Sequence, residues 1–202
     1  MAEYLEIERK FDVGARFTLP DLATVPGCAA VGEPVTHHLS ATYYDTPGNR
    51  LAASKIILRR RTGGPDEGWH LKLPAGQYTR REIRAPLAAG DEARVPEELA
   101  SQVAEAGGGL PLAPIAFLDT ERTARTLLDA TGRVLAEVAD DVVTARRDGS
   151  AGEPLRWREV EVELAADSAE ARLVLEGTAR LLLAAGAVPA AKGSKLAKVL
   201  DS

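Results

Sequence analysis

A chain of 202 residues with 45% hydrophobic and only 4% aromatic content can close one core on Ala, Val and Leu, and is too apolar to be disordered. Its net charge of −5 argues against a nucleic-acid partner, and no apolar run approaches the roughly 20 residues of a membrane span. Cys28 is the single cysteine, so no internal disulfide forms, as expected in the reducing cytoplasm, and MAEYLEIERK lacks the apolar stretch of a secretory signal.

Strand-like runs follow one another at 3–13, 35–46, 54–62, 68–74, 78–86, 114–127, 133–146 and 156–165. Turn signals such as DTPGNR (45–50), GGPDEG (63–68) and RDGSAGEP (147–154) separate them. Short helices are expected near 20–25 and over 95–106, where Pro96 sits in the first turn and Gly107 follows the end. One long helix is expected over 167–187, with Asp167 and Glu170 as a capping box and Leu173, Leu175, Leu181, Leu182 and Leu183 on its apolar side. Gly186 and Pro189 stop it, and the tail AAKGSKLAKVLDS begins a further helix or a linker. With no repeat and no composition break, a single domain over 1–202 is expected.

Alternation along these strands sorts charge from apolar side chains. In the first, Tyr4, Glu6, Glu8, Lys10 and Asp12 share a face, with Leu5, Ile7 and Phe11 opposite. The same parity aligns Arg59 with Arg61, His70 with Lys72, and Arg80 with Glu82 and Arg84. It also aligns Glu137 with Asp141, and Glu159 with Glu161 and Glu163, against Val160, Val162 and Leu164. A sheet wetted on one side alternates too, but such faces mix Thr, Ser, Gln and Lys, whereas these positions are overwhelmingly Glu and Arg. Stacked glutamates repel unless cations answer them, which a closed barrel with both signs inside provides. Inward Arg and Lys suit phosphate oxygens, and clustered carboxylates suit Mg²⁺ or Mn²⁺. A metal-complexed polyphosphate satisfies both sets.

Glu6-Ile7-Glu8-Arg9-Lys10 resembles the E-x-E-x-K signature of the CYTH domains, the triphosphate tunnel metalloenzymes. The later elements match in order: YYDTP (43–47), LRRR (58–61), HLKLP (70–74), RRE (80–82), Arg122, EVADD (137–141), EVEVEL (159–164) and SKL (194–196). The resemblance implies a mainly β fold, an eight-stranded antiparallel closed barrel with a few flanking helices, binding triphosphate with Mg²⁺ or Mn²⁺. Family members hydrolyse inorganic or thiamine triphosphate, and some cyclise ATP. Carried over, Glu6, Glu8, Glu159 and Glu161 are metal-side carboxylates, with Asp141, Glu137 and Glu163 as further candidates. Lys10, Arg59, Arg61, Lys72, Arg80, Arg122 and Lys195 hold phosphates, and Glu82 orients those cations or the water. Glu8, Lys10 and Glu82 then stand nearest the chemistry.

Other polar residues fall outside this set. Arg60 and Arg81 point outward, Arg125 lies on the face opposite Arg122, and parity with Glu137 favours Asp141 over Asp140. His70 is expected at the rim, His37 and His38 lack a zinc-spaced companion, and Tyr44 and Asp45 end a strand. The expected function is metal-dependent hydrolysis of a triphosphate, inorganic triphosphate first, without the P-loop, since no Walker-A sequence is present. An alternative is a module that captures polyphosphate without turnover. Family members are often fused to a helical CHAD domain, and GSKLAKVLDS resembles that junction. A third is a class IV-type adenylyl cyclase, ranked last because few aromatics are available to stack on a base.

Overall fold

In the computed structural model, which describes residues 2–202, the long strands are β1 (Ala2–Val13), β3 (Val35–Asp45), β4 (Ile57–Thr62), β5 (Gly68–Pro74), β6 (Thr79–Ala85), β7 (Ala113–Leu128), β8 (Val134–Arg147) and β9 (Leu155–Leu164). Two-residue strands β2 (Ala30–Val31) and β10 (Val188–Pro189) pair with β7 and β1. The helices are α1 (Arg50–Ala53), α2 (Glu97–Gly107), α3 (Ala169–Ala184) and α4 (Lys195–Leu200). None is long and apolar enough to cross a membrane.

The strands run β1-β6-β5-β4-β3-β7-β8-β9, all antiparallel, and β9 returns to β1. Closure depends on β1 changing partners midway. Ala2–Ile7 pair with β6, and Glu8–Val13 pair with β9. The expected closed antiparallel barrel of eight strands with flanking helices is therefore what the chain forms.

The hydrophobic core lies mostly outside the barrel. Ile7, Phe11, Val138, Val160 and Val162 face outward and are covered by Val174, Leu175 and Leu182 of α3. Leu58, Trp69, Leu71 and Ile83 are covered in the same way by Leu99 and Val103 of α2 and Leu51 of α1. Each fully buried aliphatic side chain contributes about 1.5–3 kcal/mol, so these two layers fix the strands from outside. A third cluster closes one end from within, where Leu196 and Val199 of α4 meet Tyr43, Ile57, Leu118 and Val143. The rest of the interior is left to charge.

Several local expectations shift. Residues 54–56 are not strand, because α1 and its C-cap Ser54 precede β4. The segment near 20–25 forms a 3₁₀ turn at Leu22–Thr24, capped by the Asp21 side chain. Pro96 is the N-cap of α2, and Gly107 is its last residue rather than the one after. In α3 the cap is Ser168, whose Oγ accepts from the Ala171 amide, while Asp167 pairs with Arg172 instead of closing a box with Glu170. Its buried face is Ala171, Val174, Leu175, Thr178 and Leu182, while Leu173 and Leu183 face solvent. Leu5 is also exposed, lying outside the cluster that α3 covers at Ile7 and Phe11.

Asp45 ends β3, as expected, and also organises the turn into α1. Its buried carboxylate accepts from the amides of Thr46 (2.6 Å), Leu51 (2.9 Å) and Ala52 (2.9 Å). Asp45→Ala leaves these donors unpaired and is expected to cost about 2–3 kcal/mol, read as a lower urea midpoint with an unchanged m-value.

Candidate functional site

Inward parity on seven strands and one helix brings the charged side chains into one lumen, a cavity of about 50 Å³. β1 supplies Glu6, Glu8 and Lys10; β4 supplies Arg59 and Arg61; β5 supplies Lys72; and β6 supplies Arg80, Glu82 and Arg84. Arg122 comes from β7, Glu161 and Glu163 from β9, and Lys195 from α4. Asp141 of β8 and Glu159 of β9 join them as ion-pair partners of Lys195. The lumen opens beside Glu8, Lys10 and Arg80 onto a cleft of about 610 Å³.

The carboxylates fall into two groups rather than one cluster. Glu6, Glu8 and Glu163 form the first, and Asp141, Glu159 and Glu161 form the second, each with ligand atoms within 4.8 Å of one another. The second is filled by an ammonium. Lys195 Nζ lies 2.7 Å from Glu159 and Glu161 and 2.8 Å from Asp141. Arg122 adds a two-pronged bond to Asp141 (2.8 and 2.7 Å) and one to Glu161 (2.6 Å). Burial pushes Asp141 and Glu161 up, but the surrounding Lys195 and Arg122, with Lys10 at Glu161, bring both below the usual carboxylate range.

The first group is less compensated. Lys72 pairs with Glu6, and Lys10 lies 2.7 Å from Glu8, yet Glu6 Oε2 is buried without a hydrogen-bond partner among the described residues. Burial, then Glu6 and Glu8 as like charges, push the Glu163 carboxyl up to about 7. A carboxyl held above its unfolded value favours folding while protonated and loses that contribution as pH rises from about 4.5 to about 7. The melting-temperature difference between Glu163→Gln and wild type, without divalent ions, is therefore expected to grow in favour of the variant across that window. A constant difference would contradict the assignment.

The cations opposite are crowded and short of partners. Burial, then Arg59 and Arg122 as like charges, bring Arg61 down to about 9. Its side chain pairs with Asp66 of the β4–β5 loop, but Arg61 Nε and Arg59 Nε are buried without acceptors among the described residues. Tyr43 reaches Arg59 at 3.4 Å. Burial pushes its hydroxyl up, and Arg59, Lys195 and Lys72 together bring it down. Glu82 accepts from Arg84 at 2.6 Å and lies 3.5 Å from Lys72.

Parity also holds for the excluded residues. Arg60 meets Glu92, Arg81 meets Glu3, and Asp140 is held by Arg158, apart from Asp141. His70 departs from expectation: it is fully buried, with Nδ1 at 2.8 Å from Glu82 and Nε2 at 2.9 Å from the Asp66 carbonyl. The β4–β5 loop folds over it, which a rim assignment from strand parity misses. Sequence reasoning put Arg84 on the inward face without giving it a role, and passed over Tyr43, Asp66 and Lys198. Lys198 bonds to Glu159 at 2.6 Å and pairs with Asp12. Its signal was the spacing from Lys195, which places both ammoniums on one side of a helix.

A CYTH domain model matches residues 4–195. The chain is 44% identical over 211 residues to two Mycobacterium tuberculosis proteins, the uncharacterised MT2285 and Rv2226, covering 100% of this chain and 41% of each of them. It thus spans about two fifths of the length of the curated relatives it matches. Among solved structures, a candidate adenylate cyclase from Bacillus halodurans has a TM-score of 0.65 at 17% identity, covering 98% of both chains. HpAC1 of Hippeastrum, a candidate adenylyl cyclase described as having a dominant triphosphatase activity, has a TM-score of 0.53 at 16% identity, covering 98% of this chain and 95% of that one. The PH1819 protein of Pyrococcus horikoshii has a TM-score of 0.53 at 15% identity, covering 97% and 98%. At these identities the likeness is one of fold.

Proposed function

This chain belongs to the CYTH family, and on that footing we propose that its lumen binds a triphosphate with a divalent cation and hydrolyses it, inorganic triphosphate being the first candidate. One observation carries the reading. Buried, unpartnered guanidinium N–H groups of Arg59 and Arg61 share a lumen with a carboxylate group that has an unpartnered oxygen. Buried donors and acceptors without partners are costly, and a phosphate chain carrying a cation would satisfy both.

The donor set fits the ion. Glu6, Glu8 and Glu163 offer only carboxylate oxygens, which suit Mg²⁺ or Mn²⁺, and the excess acidity that raises Glu163 is what a cation relieves. When bound there, such an ion would neutralise charge on phosphate oxygens. Arg59, Arg61, Arg122 and Arg80 would grip the phosphates, and Lys72 would meet them as a point charge. Lys10, between Glu8 and Glu161, would hold the two carboxylate groups apart in charge and share a phosphate oxygen. Glu82, fixed by Arg84 and His70, would keep Lys72 aimed into the lumen. Phosphoryl transfer asks mainly for such positioning and charge neutralisation.

The second reading is capture of polyphosphate without turnover. Lys195 already occupies the Asp141–Glu159–Glu161 group, so the lumen offers one carboxylate group to an ion where a two-metal arrangement needs two. The further length of the curated relatives leaves room for a CHAD-type neighbour. A phosphate-release panel over triphosphate, thiamine triphosphate, ATP and long polyphosphate, each with Mg²⁺ and Mn²⁺, separates the two. Metal-dependent release from triphosphate supports hydrolysis. Tight polyphosphate binding with no release under either ion supports capture.

A further inference from the structure

In the proposed site His70 serves only through its contact with Glu82, and its second ring nitrogen has no task there. His70 stands on the inward face of β5, between Arg59 of β4 and Arg84 of β6 in register, and is 0% exposed. Both of its ring nitrogens meet acceptors: Glu82 Oε1 at Nδ1 (2.8 Å) and the Asp66 carbonyl at Nε2 (2.9 Å). A carbonyl donates nothing, so Nε2 carries a hydrogen. The contact of Nδ1 with the Glu82 carboxyl is a hydrogen bond when either atom carries a hydrogen, while burial and the nearby Arg59 and Arg61 disfavour a charged ring. An imidazole held at both ends cannot turn without losing both bonds. An apolar ring of the same size would pack there and do neither.

The two partners belong to different parts of the site. Glu82 contacts Lys72 and Arg84 in the lumen. Asp66 lies in the loop between β4 and β5, and its carboxylate pairs with Arg61. That loop leaves β4 through Gly63 and Gly64, at φ 76° and 80°, and a Cβ on Gly63 would lie 2.1 Å from the His38 carbonyl oxygen. The loop is thus pressed onto β3 where it leaves β4, and Asp66 further along it reaches Arg61. Arg61 has like charges on both sides, Arg59 and Arg122, and Asp66 is its counter-ion. An incoming phosphate competes with Asp66 for that guanidinium. How far Asp66 can withdraw is limited by the bond from His70 to its backbone.

We propose that His70 is a positioning residue of the phosphate site, its ring tying the Glu82 carboxyl in the lumen to the loop whose Asp66 sets the place of Arg61. Its kinetic consequences rest on the triphosphate reading; its structural ones do not. The charged groups facing the ring are Arg59 and Arg61 from β4, Lys72 along β5, Glu82 and Arg84 from β6, and Asp66 from the loop.

Three variants divide the two arms. His70→Phe removes both, His70→Asn reaches only the Nδ1 position and retains the Glu82 arm, and His70→Gln reaches the Nε2 position and retains the Asp66 arm. For triphosphate hydrolysis, His70→Phe is expected to lower kcat/KM about 10- to 100-fold, the range for a hydrogen bond to a charged group. His70→Asn is expected to recover kcat with KM still altered, and His70→Gln to recover KM with kcat still low. A folded His70→Phe protein with both constants within about twofold of wild type overturns the proposal, as do Asn and Gln variants no better than Phe. Amide hydrogen exchange supplies the readout if the wild type hydrolyses nothing, an outcome that defeats the triphosphatase reading alone. Residues 63–67 are then expected to exchange faster in the Phe and Asn variants than in the Gln variant and wild type. Equal exchange in all four overturns the inference.

Discussion

Glu8→Gln is expected to reduce metal-dependent phosphate release from triphosphate by about two to three orders of magnitude, the scale on which single charge-stabilising groups act in transfer reactions. Glu8 sits at the point where β1 leaves β6 for β9, belongs to the Glu6–Glu8–Glu163 group, and shares Lys10 with Glu161 of the other. It meets Lys10 at 2.7 Å and Arg80 at 3.8 Å. The amide keeps the size and one acceptor but removes the charge. An ion held by Glu6, Glu8 and Glu163 would lose a third of its ligands' charge, while Lys10 would lose one of two counter-ions. The fold should persist, because β1 is held by ladders to β6 and β9 and by Ile7 and Phe11 beneath α3. The expected result is a protein with wild-type circular dichroism and near-absent turnover under Mg²⁺ or Mn²⁺. A folded variant that releases phosphate at the wild-type rate removes the metal-dependent mechanism.

Lys195→Met is expected to destabilise the protein by about 3–5 kcal/mol, the usual consequence of removing one partner from a buried ion cluster. For a chain of this size that lowers the melting temperature on the order of 10 °C. Lys195 is 9% exposed, and its ammonium is the shared neighbour of Asp141, Glu159 and Glu161. Methionine retains the stem beside Leu196 but leaves these acids to Arg122, Lys10 and Lys198. The pH dependence has a defined sign. Asp141 and Glu161 have depressed folded-state pKa values, so their stabilisation is present above the ordinary carboxylate range and is lost as pH falls from that range down through their lower folded values. The deficit of the variant should therefore be large at neutral pH and shrink in acid. Added Mg²⁺ or Mn²⁺ should raise the melting temperature of Lys195→Met more than that of the wild type, because the variant opens a second carboxylate group. A difference below about 1 kcal/mol at neutral pH would show that Lys195 is not the group's counter-ion.

Alternation along single strands was enough to separate Glu6 and Glu8 from Ile7, Arg59 and Arg61 from Leu58, and Glu159 and Glu161 from Val160. A period of two places every second side chain on one face whatever the strand later pairs with. The order of turns and strands was legible for the same local reason, and so was the exclusion of Arg60, Arg81 and Asp140 from the lumen. Helix boundaries were less so. The cap of α3 went to Ser168 because Asp167 found Arg172, a choice between neighbours that spacing leaves open.

Tertiary structure alone decided which charges meet. The six acids divide into two groups because β1 changes partners after Ile7 and sets Glu8 against Glu163, while Asp141 of β8 stands against Glu159 further along β9. The α4 helix then places Lys195 in one group and leaves the other open. His70 became interior because a loop closed over it, and Tyr43 entered the site because β3 pairs it with Arg59. Parity states which face a side chain takes. Only closure of the barrel and the return of the C-terminal helix state what stands across from it, because those contacts join residues far apart in the chain and their energies depend on distance.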